Sequence, residues 1–246
     1  MLKNKTGEQI PKVTIKTQEN NQWIDINTDD IFSKKTVVVF SLPGAYTPTC
    51  SSSHLPRYNE LANTFKENGV DEIVCVSVND TFVMNAWKQT QESENIFMLP
   101  DGNTDFTKAM GMLVNKSDLG FGDRSWRYSM LVKNGIIEKM FIEAEVEGDP
   151  FEVSDADTML NYINKNACIA DTAVMFSKDG CAYCDKAIEL FNEHNTLVEQ
   201  IKIGKDITSK SLRAVSGKDT TPQIFIGGQY IGGADELAQY FKNKKG

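Results

Sequence analysis

Residues 172–246 constrain the fold more tightly than any other stretch, because strand-like and helix-like runs alternate there around two closely spaced cysteines. Thr172–Ser177 reads as a strand, Asp185–His194 as a helix, Leu197–Ile203 as a strand and Asp206–Ser216 as a helix. Gln223–Ile226 and Gln229–Ile231 read as strands paired across Gly227-Gly228, and Ala234–Lys242 as a closing helix. That order predicts a small mixed sheet with helices on its faces. The loop between the first strand and the first helix carries Cys181 and Cys184.

The first half also alternates strands and helices. Val13–Lys16 and Gln22–Ile26 read as short strands around a polar turn, and Thr36–Ser41 is a continuous apolar run, the pattern of a strand covered on both faces. The loop Leu42–Thr49 follows. Ser51–Asn68 then predicts a helix with Leu55, Tyr58, Leu61, Ala62 and Phe65 on one face. Glu72–Val78 predicts a buried strand, Thr81–Thr90 a helix, Phe97–Leu99 a short strand and Asp105–Gly111 a short helix. Tyr128–Lys133 and Ile136–Ile142 flank Asn134-Gly135, a strong hairpin signal, and Asp155–Asn164 predicts a helix. The two series meet near Lys165–Asp171. This predicts an α/β chain with domains at 1–165 and 172–246 and a linker at 166–171.

A net charge of −8 argues against nucleic acid or an anionic membrane as partner. There is no run of apolar residues long enough to span a bilayer, and Met1–Lys12 lacks the apolar stretch of a signal peptide. A cytoplasmic location is expected. Five cysteines, an odd count without framework spacing, read as catalytic or buried thiols in a reducing compartment.

Cys50 lies between a buried strand and a helix, so it falls in the first helical turn, where free N–H groups and the dipole favour a thiolate. Pro43, Gly44 and Pro48 fix the loop before it, and Thr47 is three residues away, within reach of a sulfur or a bound oxygen. The pattern Pro43-x-x-x-Thr47-x-x-Cys50, within PGAYTPTCSSSHLPRY, resembles the active-site motif of peroxiredoxins of the type-5 branch. The resemblance covers residues 5–165. It implies a thioredoxin fold and a distant arginine, at Arg127 directly before a strand; Arg124 is the neighbouring alternative. It further implies that the Cys50 thiolate attacks a hydroperoxide, hydrogen peroxide or an alkyl hydroperoxide. Arg127 and Thr47 then hold the oxygens, Pro43 shields the sulfur, and a sulfenic acid forms. His54, one turn on, reads as a packing or surface histidine, because a thiolate already formed needs no base. Cys75, mid-strand between valines, reads as an inert core residue. No second cysteine of this domain stands out as a partner for Cys50.

Cys181-Ala-Tyr-Cys184 follows a strand and opens a helix, the position of a redox C-x-x-C. Cys181, at the helix start, is the expected nucleophile; Cys184, a turn inside, can close a disulfide. Cys168 and His194 are spaced for no common zinc site, so no metal is expected. Thr221-Pro222 precedes a strand, where a cis proline is expected beside the cysteine, and Gly232-Gly233-Ala234-Asp235 opens the last helix, whose N–H groups suit a carboxylate. Residues 172–244 are similar to glutaredoxins, a second thioredoxin fold. That resemblance implies glutathione binding at Lys178, Tyr183, Thr221, Pro222, Ala234 and Asp235. Lys178 would meet the glycyl carboxylate, Thr221 the cysteinyl backbone, and Asp235 with the Ala234 backbone the γ-glutamyl end. A surface role for Lys178 and a helix-capping role for Asp235 stay open. Ala182 stands where glutaredoxins usually have proline, a departure seen in some that hold a two-iron cluster with glutathione.

Along its full length the chain resembles bacterial hybrid peroxiredoxin–glutaredoxin proteins. The resemblance implies a glutathione-dependent peroxidase serving antioxidant defence, with no tightly bound cofactor, glutathione as co-substrate, and glutathione reductase with NADPH behind it. It also implies a homo-oligomer, dimer or tetramer, in which Cys181 serves Cys50 of the same or another chain. Two readings from other classes stay open. A disulfide reductase whose first domain is a redox sensor would turn peroxide over slowly. An iron–sulfur carrier would absorb visible light after anaerobic purification.

Overall fold

The computed structural model describes residues 2–19, 22–167, 172–194 and 196–244, which form two compact units, one up to residue 167 and one from residue 172. Cys168 and the rest of the expected linker up to residue 171 lie outside the described residues.

The first unit opens with the hairpin β1 (Thr14–Glu19) and β2 (Gln22–Asn27), a short helix α1 (Thr28–Phe32) and the strand β3 (Thr36–Leu42). Helices α2 (Leu55–Glu60) and α3 (Ala62–Glu67), strand β4 (Glu72–Ser77), helix α4 (Thr81–Thr90) and strand β5 (Phe97–Pro100) follow. Next come helix α5 (Asp105–Met110), the short ribbon β6 (Leu113–Asn115) and β7 (Asp123–Ser125), the hairpin β8 (Tyr128–Lys133) and β9 (Ile136–Ile142), and helix α6 (Ala156–Ile163). The central sheet has the order β5-β4-β3-β8-β9, parallel from β5 to β3 and antiparallel from β3 to β9.

Alternation along β3 sends its side chains to opposite faces. Val38, Phe40 and Leu42 join one buried cluster with Leu55, Tyr58, Phe65, Met84, Trp87 and Met159. Val37 and Val39 join another with Phe32, Val74, Phe106 and Met110. Both faces are covered, which is why the strand reads as an unbroken apolar run. At the β8–β9 turn Asn134 (φ 47°) and Gly135 (φ 76°) are both left-handed, as a two-residue hairpin demands.

The second unit contains β10 (Thr172–Ser177), α7 (Ala182–Glu193), β11 (Leu197–Lys202), α8 (Ser209–Ser216), β12 (Gln223–Ile226), β13 (Gln229–Gly232) and α9 (Ala234–Lys244). Its sheet order is β11-β10-β12-β13, with one parallel neighbour of β10 and an antiparallel hairpin on the other side. The four strands β4-β3-β8-β9 of the first unit follow the same plan, so both units are thioredoxin folds.

Three of the expected helices are interrupted or start several residues away, and the first expected strand, Val13–Lys16, runs instead over Thr14–Glu19. The expected helix 51–68 is interrupted. A wide turn spans Cys50–His54, closed by the Leu55 N–H on the Cys50 carbonyl, and a second break falls at Leu61. Pro56 lacks an N–H and cannot donate to the carbonyl four residues back, so the turn before it opens to five-residue spacing. The helix expected from Asp206 begins at Ser209. Asp206 instead closes a turn, its carboxylate accepting from the Lys202 N–H at 2.8 Å, and Thr208 caps α8 through the Ser211 N–H. The helix expected from Asp185 begins at Ala182, which places Cys184 inside α7.

Candidate active site

In the first unit, the Ser51 N–H bonds to the Thr47 carbonyl at 3.0 Å, which starts the helix at Pro48 and sets Cys50 in its first turn. The loop before it is pinned by Asn79, whose side-chain oxygen accepts from the Ala45 N–H at 3.0 Å and the Ser77 hydroxyl at 2.7 Å. Cys50 is fully buried. Arg127, at the residue before β8, is also buried and donates from Nη1 to the Cys50 sulfur at 3.5 Å. The same Nη1 meets His54 Nδ1 at 3.0 Å, and Nη2 bonds the Asp149 carboxylate at 2.5 Å. The guanidinium also faces the Phe151 ring at 5.4 Å. Burial pulls the Arg127 pKa down, but the Cys50 and Asp149 charges outweigh it and the net shift is upward. Arg127 Nε is a buried donor without a hydrogen-bond partner, left free for an incoming acceptor.

Arg124, the alternative, is engaged elsewhere: Nη1 donates to the Val78 carbonyl at 3.0 Å and Nε to the Phe121 carbonyl at 2.9 Å. Thr47 Oγ1 donates to the Gly44 carbonyl at 2.8 Å. Its proton is therefore committed to the loop, and what the hydroxyl offers a ligand is its lone pairs. Burial, then the nearby Cys50, push the Cys75 thiol well up, which keeps it an inert core residue.

His54 is the residue whose part in this site the sequence reading missed. It is fully buried, and its Nε2 lies 3.1 Å from the Ser154 carbonyl. With Nε2 donating, Nδ1 is left as the acceptor for Arg127. Burial first, and the Arg127 charge second, bring its pKa down to about 3. The ring is thus neutral at physiological pH and serves as a fixed acceptor. The segment carrying Asp149, Phe151 and Ser154 is tied in turn to Glu143. That carboxylate accepts from the Glu152, Val153 and Ser154 N–H groups and the Ser154 hydroxyl, at 2.7 to 3.0 Å. Burial pulls the Glu143 pKa up, but these bonds outweigh it and the net shift is down. The i, i+4 spacing of Cys50 and His54 signals one helix face; nothing in the sequence around Asp149 marks it.

His54 gives a test in stability. Its ordinary pKa is 6.5 and its folded value about 3, so between these pH values the unfolded chain binds a proton that the folded chain refuses. Stability is complete above that window and falls as pH falls through it. At about 1.4 kcal/mol per pH unit, moving from pH 6.5 to 4.5 costs about 2–3 kcal/mol through this group. Urea unfolding at the two pH values should show that loss in wild type and a smaller one in His54→Asn; equal losses would refute the assignment.

In the second unit Cys181 precedes α7 as its cap, with its sulfur accepting from the Cys184 N–H at 3.3 Å and from the Thr221 hydroxyl at 3.4 Å. Burial pulls its pKa up, but hydrogen bonds from Cys184, Thr221 and the backbone outweigh it and the net shift is down. Burial first, then Cys181, push Cys184 up to about 11. The pair is therefore split into a half-exposed nucleophile and a buried thiol. The Thr221–Pro222 bond is cis.

Tyr183, Thr221, Pro222, Ala234 and Asp235 line one groove, with Lys218, Gln223 and Tyr230 as further walls. The Tyr230 hydroxyl bonds Gln223. Lys178 is exposed and does not line this groove. Asp235 does not cap α9. Glu236 reaches back to the Gly233 N–H at 2.9 Å, the glutamate half of a capping box, while Asp235 pairs with Lys186 of α7 at 2.8 Å. Lys186, Lys218, Gln223 and Tyr230 were not singled out in the sequence. They become visible only when α7, β12 and β13 are brought together.

No helix among the described residues is long and apolar enough to cross a membrane. A Redoxin family model matches residues 5–160 and a Glutaredoxin model residues 173–231. The hybrid peroxiredoxin hyPrx5 of Haemophilus influenzae is 59% identical over 235 residues, spanning 96% of this chain and 98% of its own. Among solved structures, reduced Prx3 of Vibrio vulnificus in complex with H2O2 is 42% identical, with a TM-score of 0.61 over 64% of this chain and 98% of that one. The antioxidant protein of Plasmodium falciparum, a 1-Cys peroxiredoxin, is 35% identical, with a TM-score of 0.63 over 66% of this chain and all of its own (100%).

Proposed function

Because the chain belongs to the peroxiredoxins, as a hybrid carrying a C-terminal glutaredoxin domain, we propose that its peroxidase cycle runs on glutathione, with Cys50 as the peroxide-reducing residue and Cys181 as the residue that recycles it. Peroxide reduction is the family's activity. The observation that carries the rest is the split between Cys181 and Cys184 beside a groove lined by Thr221, Pro222, Ala234 and Asp235.

The Cys50 thiolate attacks the terminal oxygen of a hydroperoxide. The S–O bond forms, the O–O bond breaks, sulfur becomes a sulfenic acid, and the leaving alkoxide or hydroxide takes a proton from water. Arg127 supplies the donors: Nη1 lies at the sulfur, and the unpartnered Nε is free to serve the charge that develops on the leaving oxygen. Neutral His54 and the Asp149 carboxylate hold the guanidinium without competing for the sulfur. A reduced relative from Vibrio vulnificus is solved in complex with H2O2, which supports a peroxide as the oxidant here.

Glutathione condenses with the sulfenic acid, releasing water and leaving a mixed disulfide on Cys50. The Cys181 thiolate attacks the glutathione sulfur and frees the Cys50 thiolate. A second glutathione thiolate then attacks that same sulfur, releasing oxidised glutathione and restoring Cys181. Covalent fusion raises the effective concentration of Cys181 for this exchange. Lys218, Tyr183 and the α9 N-terminus offer a cation, a phenol and N–H groups to a peptide with two carboxylates.

Peroxide-dependent NADPH oxidation should proceed with glutathione and glutathione reductase, and fall at least tenfold when thioredoxin and its reductase replace them. Equal rates with both systems would overturn the glutathione reading while leaving the peroxidase intact.

A further inference from the structure

A cavity of about 250 Å³ opens beside Pro43, Thr47 and Arg127, and most of its wall is apolar. Leu119, 60% exposed, and Phe121, 40% exposed, face it together with Trp126. Large apolar side chains gathered at an exposed wall mark a binding surface more often than isolated ones do. Hydrogen peroxide has no group that such a wall would recognise. The organic substituent of an alkyl hydroperoxide does.

Three charged residues line this cavity: Arg127, Asp149 and Lys116. The first two pair with each other. Lys116 has no ion-pair partner among the described residues, and it is half-buried, with Nζ 5.0 Å from the centre of the Trp126 ring. Trp126 is itself fixed, since its indole N–H donates to the Glu143 carbonyl at 2.9 Å. A cation held over a rigid indole at the wall of an apolar pocket is complementary to an apolar chain ending in an anion.

We propose that this pocket selects organic hydroperoxides bearing a carboxylate, and that Lys116 is the residue that determines the preference. The inference rests on the peroxidase reading of Cys50 and names its substrate class. The hydroperoxide group enters between Cys50 and Arg127. Cys50 takes the terminal oxygen, forming S–O as O–O breaks. The alkoxide, with its chain along Leu119, Phe121 and Trp126, keeps its carboxylate at Lys116 and takes its proton from water.

The test compares 6-hydroperoxyhexanoic and 9-hydroperoxynonanoic acids with their methyl esters, and with hydrogen peroxide, in the glutathione-coupled assay. For wild type, the acid should exceed its ester in kcat/KM by about two- to five-fold for at least one chain length, through KM, as a partly exposed ion pair allows. The advantage should shrink with added salt. In Lys116→Met the acid-to-ester ratio should fall to about one. That ratio is internal to each variant, so a general loss of activity cancels. Equal KM values for acid and ester in wild type would overturn the proposal and leave the peroxidase reading standing. So would an unchanged ratio in Lys116→Met with a raised KM for glutathione, which would assign Lys116 to a glutathione carboxylate. Turnover of none of these five peroxides by wild type would overturn both.

Discussion

Arg127→Gln is expected to lower kcat/KM for hydrogen peroxide by about 10²–10³-fold, while reduction of a glutathionylated test peptide by the second unit stays unchanged. Arg127 is the one cation in contact with the Cys50 sulfur among the described residues, and its Nε is the one buried guanidinium donor left without a partner. Removing a preorganised donor aimed at a developing oxyanion typically costs about 2.7–4 kcal/mol of transition-state stabilisation, which is that range of rates. Glutamine keeps polarity but loses the charge and the planar fork. Three neighbours then lose their donor at once: the sulfur, His54 Nδ1 and the Asp149 carboxylate. Arg127→Lys restores charge without the fork and should recover only part of the loss. Stopped-flow measurement of Cys50 oxidation separates this step from recycling. A loss under tenfold in Arg127→Gln would mean that the leaving oxygen is stabilised by the loop backbone and not by this side chain.

The fold could be read from sequence wherever one local rule dominated. The β8–β9 hairpin was placed to the residue because Asn134-Gly135 satisfies two left-handed positions that few other pairs tolerate. β3 was placed because burial on both faces leaves an apolar run from Val37 to Phe40. The helix after Cys50 was misread because its apolar spacing continues through Pro56; periodicity outvoted a residue that cannot donate in a helix interior. The β6–β7 ribbon went unseen because each strand is three residues long and carries Asn115, Asp123 or Arg124, residues that read as loop. The site divided in the same way. Cys50, Thr47 and Arg127 are carried by a motif and a position before a strand. Asp149 and Glu143 act through a fold-back of the chain over Arg127, and no spacing in the sequence encodes that contact. His54 was in view, but its role was not, because a histidine kept neutral by burial and a neighbouring cation differs from a surface one only in three dimensions.

The C-x-x-C with Ala182 in place of proline bears on the choice between a carrier and a catalyst. What the second unit presents is an asymmetric thiol pair at a groove, and asymmetry is what exchange chemistry uses: a low-pKa sulfur to attack and to leave, and a high-pKa sulfur that stays protonated.

That asymmetry sets the second large effect. Cys181→Ser should leave the first oxidation of Cys50 at its wild-type rate in a single turnover, yet lower steady-state peroxide turnover with glutathione at least tenfold. Cys184→Ser should keep most of the wild-type steady-state rate. The hydrogen bonds that lower the Cys181 pKa come from Cys184 and Thr221, side chains and backbone; serine at 184 retains the backbone N–H and a hydroxyl donor, so the nucleophile survives. Cys184 itself, pushed up to about 11, is a thiol at neutral pH and attacks the Cys181 mixed disulfide slowly. The glutathione thiolate in solution attacks the glutathione sulfur of the same disulfide, presented by half-exposed Cys181, and resolves it directly. Mass spectrometry of the trapped cycle should therefore show glutathione on Cys50 in Cys181→Ser, and on Cys181 in Cys184→Ser. If Cys184→Ser stops turnover, recycling runs through a Cys181–Cys184 disulfide. If Cys181→Ser turns over as wild type does, free glutathione resolves Cys50 unaided, and the second unit's groove serves other disulfides.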